Sequence, residues 1–287
     1  MKKMIVGAGI ALLALTGTAA AADLPKKAPV YKAPPPIVDP WTWTGVYIGV
    51  NAGYSWGRSD THVDYFTSPG GLPIVPPPGS ITDVKFDLNG GIAGAQIGAN
   101  WQSGVWVIGG EADIQWSGQK GSADFLCATV TATVPGACLG STFVPPGVTG
   151  ASLALDQKLE WFGTVRARLG VTPAPTVLLY VTGGLAYGEI QTDAILTGRT
   201  PAGVASSVAA SFSETKAGWT VGAGIEGRLG GNWTGKIEYL YMDLGSVSGT
   251  IINTPALIGA NWSSDITDNI VRVGLNYKFQ PYVVAKY

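Results

Sequence analysis

From Thr44 to Trp56, "TGVYIGVNAGYSW", Val46, Ile48, Val50, Ala52, Tyr54 and Trp56 take every second position. Gly45, Tyr47, Gly49, Asn51, Gly53 and Ser55 lie between them. A period of two marks a strand, because successive side chains point to opposite faces. Seven further segments repeat the alternation: Asn89–Gln102, Val105–Trp116, Lys158–Val171, Thr176–Ile190, Thr215–Leu229, Asn232–Leu244 and Asp268–Phe279. They exceed the roughly five or six residues of a soluble strand and match the roughly 9–11 that a tilted strand needs to cross a bilayer, with overhang.

The connections alternate short and long. "QSG", "TPAPT" and "GGN" join segments two to three, four to five and six to seven, whereas residues 57–88, 117–157, 191–214 and 245–267 form the others. A soluble β-sandwich has no reason to collect its long loops at one end, and an outer-membrane barrel does so. The expected fold is all-β: an eight-stranded antiparallel transmembrane up-and-down β-barrel over residues 44–279, with short periplasmic turns and long extracellular loops. Closure follows because an open sheet edge in lipid leaves backbone groups unpaired. Trp56, Trp101, Trp106, Trp116, Trp161, Trp219, Trp233, Tyr241 and Phe279 gather near segment ends, where interfacial aromatic girdles belong.

The opposite face carries the charges. Glu111, Asp113, Glu160, Glu226 and Glu238 are acidic, and Arg166, Arg168, Arg228, Lys236, Arg272 and Lys278 are basic. Unpaired buried charge is costly, and eight strands leave an interior just wide enough for side chains. The expectation is a paired polar network that fills the lumen; a selectivity ring in a pore is the alternative.

Composition narrows the remaining chemistry. A formal net charge of -1 gives no electrostatic footprint for nucleic acid. One His and three Met restrict metal and haem ligation. Residues 1–22 have Lys2 and Lys3, a short apolar run and Ala20-Ala21-Ala22, the pattern of a secretory signal peptide cleaved after Ala22. Residues 23–43 are Pro-rich with three Lys and suit an extended periplasmic spacer or a basic tether. Residues 280–287 form a C-terminal extension.

Cys127 and Cys138 share one long connection in an oxidising compartment, so a disulfide is expected. In "SDTHVD", Asp60, His62 and Asp64 share one face of an extended chain, a weak candidate for a divalent metal or, with a hydroxyl, for acyl transfer on lipid. A solvated loop is the plainer reading. No phosphate-binding loop, dinucleotide fingerprint or nucleophile elbow occurs, and no catalytic residue is assigned.

"ADLPKKAPVYKAPPP…WTGVYIGVNAGYSWG" and "NIVRVGLNYKF" resemble the Omp25/Omp31-like, porin-family outer-membrane barrels of alphaproteobacteria. The resemblance spans nearly the whole chain, and its middle rests on pattern. It implies an eight-stranded surface-exposed barrel in the cell outer membrane, without catalytic residues, from a family described as porin-like or structural with some haemin-binding members. The family's terminal Phe corresponds to Phe279, but "QPYVVAKY" follows, so Phe279 and Tyr287 both stand as candidate assembly signals. The functional expectation is a non-enzymatic envelope-integrity barrel with little or no open pore. A narrow porin, and a haemin- or host-binding protein acting through the loops, are the alternatives. Expected partners are outer-membrane lipid and lipopolysaccharide, the barrel-assembly machinery, and peptidoglycan through the Pro-rich segment. No cofactor is required, haemin being the one left open.

Overall fold

A computed structural model describes residues 41–76, 80–127, 151–200 and 203–279. The eight strands are β1 (Gly45–Thr67), β2 (Asp83–Ser103), β3 (Trp106–Cys127), β4 (Ala151–Ala174), β5 (Val177–Arg199), β6 (Ala205–Gly230), β7 (Trp233–Asn253) and β8 (Ile258–Phe279). Each pairs antiparallel with its sequence neighbours, and β1 pairs with β8 from Val46↔Phe279 to Thr67↔Ile258 to close the barrel. The short turns pivot on glycine where the chain must turn left-handed, at Gly104 (φ 60°) and Gly231 (φ 51°).

The strands run 21 to 26 residues, about twice what the bilayer requires. Most of the residues assigned by spacing to long loops therefore continue the strands. The β7–β8 connection is reduced to the turn between Asn253 and Ile258, and the β5–β6 connection to the stretch between Arg199 and Ala205. The alternation looked broken there for a physical reason. Along β1 the inward positions stay odd throughout, but their chemistry inverts beyond Trp56. Below it, Tyr47, Asn51 and Ser55 are buried while Val46, Ile48 and Val50 are exposed; above it, Val63 and Tyr65 are buried while His62 and Asp64 are exposed. Lipid bathes the first half of the strand and water the second, so the usual apolar-in rule returns above the aromatic belt.

Two interiors are thus stacked in one tube. The membrane half holds polar side chains. The extension holds an apolar core that includes Val63, Tyr65, Phe125, Leu153, Leu155, Leu196, Ile251 and Trp262. A polar layer joins them. Asp268 accepts from Ser55 Oγ and, at 2.6 Å, from Gln119 Nε2. Above it Gln157 accepts from Ser59 Oγ at 2.7 Å and donates to Ser264 Oγ at 3.0 Å.

The folded unit starts at Trp41, so Trp41–Trp43, expected as the end of the Pro-rich segment 23–43, belong with the barrel. Trp43 is buried against Val107, Leu178 and Tyr180 at the end with the short turns. The signal-peptide and Pro-rich residues through Pro40, Cys138 and the terminal residues with Tyr287 lie outside the described residues.

Candidate functional site in the lumen

Cross-strand register assembles the lumen. Glu111 on β3 lies opposite Arg166 on β4, Glu226 on β6 opposite Lys236 on β7, and Glu238 on β7 opposite Arg272 on β8. Each pair faces inward because period-two alternation puts the intervening Val165, Ile225, Ile237 and Val273 against lipid.

Arg166 lies at the centre. Its Nη2 reaches Glu111 Oε1 at 2.6 Å and Asp113 Oδ2 at 2.9 Å, and its Nη1 reaches Glu238 Oε1 at 3.0 Å. Arg272 Nη2 meets Glu238 Oε2 at 2.6 Å and Asp113 Oδ2 at 3.0 Å. Lys236 Nζ meets Glu111 at 2.7 Å, and Arg168 Nη2 meets Glu226 at 2.8 Å. Four carboxylates face four cations, so the network is charge-balanced. Six of these side chains, those of Glu111, Asp113, Arg166, Lys236, Glu238 and Arg272, are 0 % exposed.

Two tyrosines complete the network. Tyr47 donates to Glu111 Oε2 at 2.8 Å and accepts from Arg168 Nη1 at 2.5 Å. Tyr180 donates to Glu238 Oε1 at 3.0 Å, and the Arg168 guanidinium lies 3.9 Å from its ring centroid, a cation–π contact. Register puts Gly98 opposite Tyr47 and Gly224 opposite Tyr180; a Cβ at either position would overlap the facing phenol. These tyrosines and Asp268 were not among the expected network residues. Tyr47 and Tyr180 stood at inward parity in the sequence, but only the register names the glycine that makes room for each.

Of the expected lumen residues, Glu160 faces out, while Arg228 and Lys278 keep inward parity but lie at the lower mouth, outside the network. Glu160 is exposed on the outer face, because a β-bulge between Leu159 and Trp161 inserts a residue and reverses parity; Leu159 is buried in its place. Arg228 and Lys278 lie at the short-turn ends of β6 and β8, past Glu226, which is the inward acid nearest that end. They stack on Trp41, with Arg228 Cζ 4.5 Å and Lys278 Nζ 4.4 Å from its ring centroid. Arg228 donates to the Gly231 carbonyl and Lys278 to that of Thr42.

The outward aromatics form two bands. Trp116 lies opposite Trp161, whose Nε1 donates to Glu189 at 2.7 Å, and Trp219 packs 5.4 Å from Tyr241; with Trp56 these mark the upper level. Trp101, Trp106, Trp233 and Phe279 mark the lower one, where Tyr277 contacts both Trp233 and Phe279.

Asp60, His62 and Asp64 are not loop residues. They point outward from β1 above the upper band. Asp60 pairs with Lys85 at 2.7 Å. His62 Nδ1 lies 2.7 Å from Asp83 Oδ1, and its Nε2 lies 3.2 Å from Asp64 Oδ1. The hydrogen bond to Asp83, ahead of the one to Asp64, raises the His62 pKa above its ordinary value. Register sets Ser263 opposite His62, yet Nε2 is engaged by Asp64 rather than by a hydroxyl. Among the described residues no three His, Cys, Asp or Glu side chains are gathered as a metal site requires, Asp60, His62 and Asp64 included. Cys127 is buried at the end of β3, and its expected partner Cys138 lies outside the described residues.

A closed antiparallel ring with lipid-facing aliphatics, two aromatic bands and a polar lumen defines an outer-membrane β-barrel. The chain belongs to the outer membrane protein beta-barrel domain family, whose model matches residues 8–279. It is 37% identical over 279 residues to the 31 kDa outer-membrane immunogenic protein of Brucella melitensis, covering 96% of this chain and 100% of the relative. It is 27% identical over 277 residues to the 25 kDa outer-membrane immunogenic protein of Brucella canis, covering 96% and 98%. Among solved structures it is similar to Neisserial surface protein A at 13% identity and a TM-score of 0.31, covering 79% of this chain and 97% of that one. At that score the likeness adds nothing to what the strand ladder shows.

Proposed function

We propose that this outer-membrane barrel is a sealed, non-enzymatic structural element of the envelope that carries a rigid stalk beyond the outer leaflet. The supporting observation is the charge-balanced network around Arg166, buried on every side and capped by the apolar core of the extension. A conducting path needs a continuous file of water, and fully buried ion pairs below an apolar core argue against one. The short turns then face the periplasm, and the two aromatic bands seat the barrel among outer-membrane lipid and lipopolysaccharide. Haemin retention gains no support from His62, since both ring nitrogens are engaged by carboxylates.

The test is single-channel recording of the purified, heat-modifiable protein in planar bilayers. No discrete openings are expected. Steady unitary conductance would make the protein a narrow porin and overturn the sealed reading.

A further inference from the structure

The barrel is closed within the membrane but not above it. The β6–β7 ladder stops at Trp219↔Asp243, whereas β6 continues up to Ala205 and β7 up to Asn253, each paired only on its other side. The cause lies in β7. A bulge between Asp243 and Gly245, with Gly245 at φ 69° and its N–H donating to Asp243 Oδ1 at 2.8 Å, redirects the strand at the last shared rung. In lipid such an opening would strand backbone donors and acceptors; in water it does not. At the top Asn253 Nδ2 donates to the carbonyls of Ser206 (2.9 Å) and Leu196 (3.2 Å). The opening is therefore a slot held at both ends.

Free strand edges are normally guarded by charge, proline or a covering segment. This one is not. Ala205–Ser213, "ASSVAASFS", and the facing Gly245–Asn253, "GSVSGTIIN", contain no charged residue and no proline. No residue of β6 from Ala205 to Trp219 is buried, unlike the same height of the other strands. Val208, Ala210 and Phe212 are only half-covered, with Phe212 resting 5.7 Å from Trp262 in the apolar core.

We infer that the free β6 edge is a strand-addition site for an extended, uncharged stretch of another polypeptide outside the cell. Main-chain hydrogen bonds would supply the attachment, and alternate apolar side chains would cover Val208 and Phe212. Charged segments are disfavoured because the upper slot, Ala205–Ser213 against Gly245–Asn253, is uncharged, and Glu214 and Lys216 below it neutralise each other. A second copy is disfavoured by geometry. Copies in one membrane present β6 running the same way, related by a two-fold axis along the strand, which reverses their faces and prevents a shared ladder. The β7 edge of a neighbour is recessed, with Val247 and Ile251 buried. The inference rests on the extension facing outward, not on the absence of a pore.

The test uses the full folded barrel in detergent micelles and a synthetic peptide of the β7 sequence Leu244–Asn253, the strand a fully paired barrel would place beside β6. Hydrogen exchange should find the alternate amides between Ala205 and Gly218 that point away from β5 fast in the free protein, the others being paired with β5. Saturating peptide should slow them by about tenfold or more, without change in the membrane half. The same peptide N-methylated at alternate residues keeps its side chains but loses its donors, and should bind at least about tenfold more weakly. The double variant A209K/S211K, checked for heat-modifiable mobility, should weaken binding likewise. Slow exchange in the free protein, no slowing at millimolar peptide, or equal binding of the N-methylated peptide would overturn the proposal. Protection that rises with barrel concentration alone would instead assign the edge to a second copy.

Discussion

Arg272→Met isolates the energetics of the lumen. Arg272 is 0 % exposed and donates to Glu238 Oε2 through Nε (2.7 Å) and to Asp113 Oδ2 through Nη2 (3.0 Å), and its Nη2 also forms an ion pair with Glu238 Oε2 at 2.6 Å. At roughly 1.5–3 kcal/mol for each hydrogen bond to a charged group, the two hydrogen bonds amount to roughly 3–6 kcal/mol gross. The desolvation of the guanidinium, no longer required in the variant, offsets part of this. What remains is dominated by two carboxylates left short of a cation, so the expected loss is about 3–5 kcal/mol. Met fills most of the vacated volume, so packing contributes little of it. The double variant Arg272→Met/Glu238→Gln restores charge balance and should recover most of the loss, because a neutral pair carries no such desolvation cost. Urea unfolding of barrels refolded into liposomes, followed by tryptophan fluorescence, measures both values. A single variant within about 1 kcal/mol of wild type, or a double variant as unstable as the single one, would show that Arg272 is not held by charge pairing and would refute the reasoning.

Other consequences are equally direct. Gly98→Ala places a methyl group into the Tyr47 ring, displacing its bonds to Glu111 and Arg168, and should cost roughly 1–3 kcal/mol in the same unfolding assay. Val50→Arg, near the middle of the lipid-facing half of β1, should cost roughly 2–4 kcal/mol, whereas the exposed Asp124→Arg on the extension should stay within about 0.5 kcal/mol. His62 should titrate by NMR above the ordinary imidazole value of about 6.5, and Asp83→Asn should lower its midpoint. Because the folded pKa is the raised one, the contact with Asp83 stabilises fully below the unfolded value and fades as pH climbs through the folded one.

The lumen charges show where sequence reading succeeds and where it stops. Glu111, Arg166, Glu238 and Arg272 stand at inward parity in segments whose other residues are aliphatic, so their placement is legible from alternation alone. Glu160 obeys the same parity in sequence and yet faces out, because the bulge beside Trp161 exists only in the pairing of β4 with β5. Tyr47 and Tyr180 belong to the network because glycines on neighbouring strands leave space for their rings, a relation between residues far apart in the chain. The extension escaped notice because its apolar residues occupy the opposite phase from those of the membrane half.

Residue order by itself determined the strand number, the lipid-facing side of each strand within the bilayer and the identity of most charges in the lumen. Local alternation encodes these, and every strand in a bilayer meets the same solvent. Tertiary structure alone decided the height at which lipid gives way to water, the bulges at Leu159/Trp161 and Asp243/Gly245, and the unpaired edge of β6. Those depend on which strands lie side by side and how far their ladders run, and hydrogen bonding between strands sets both.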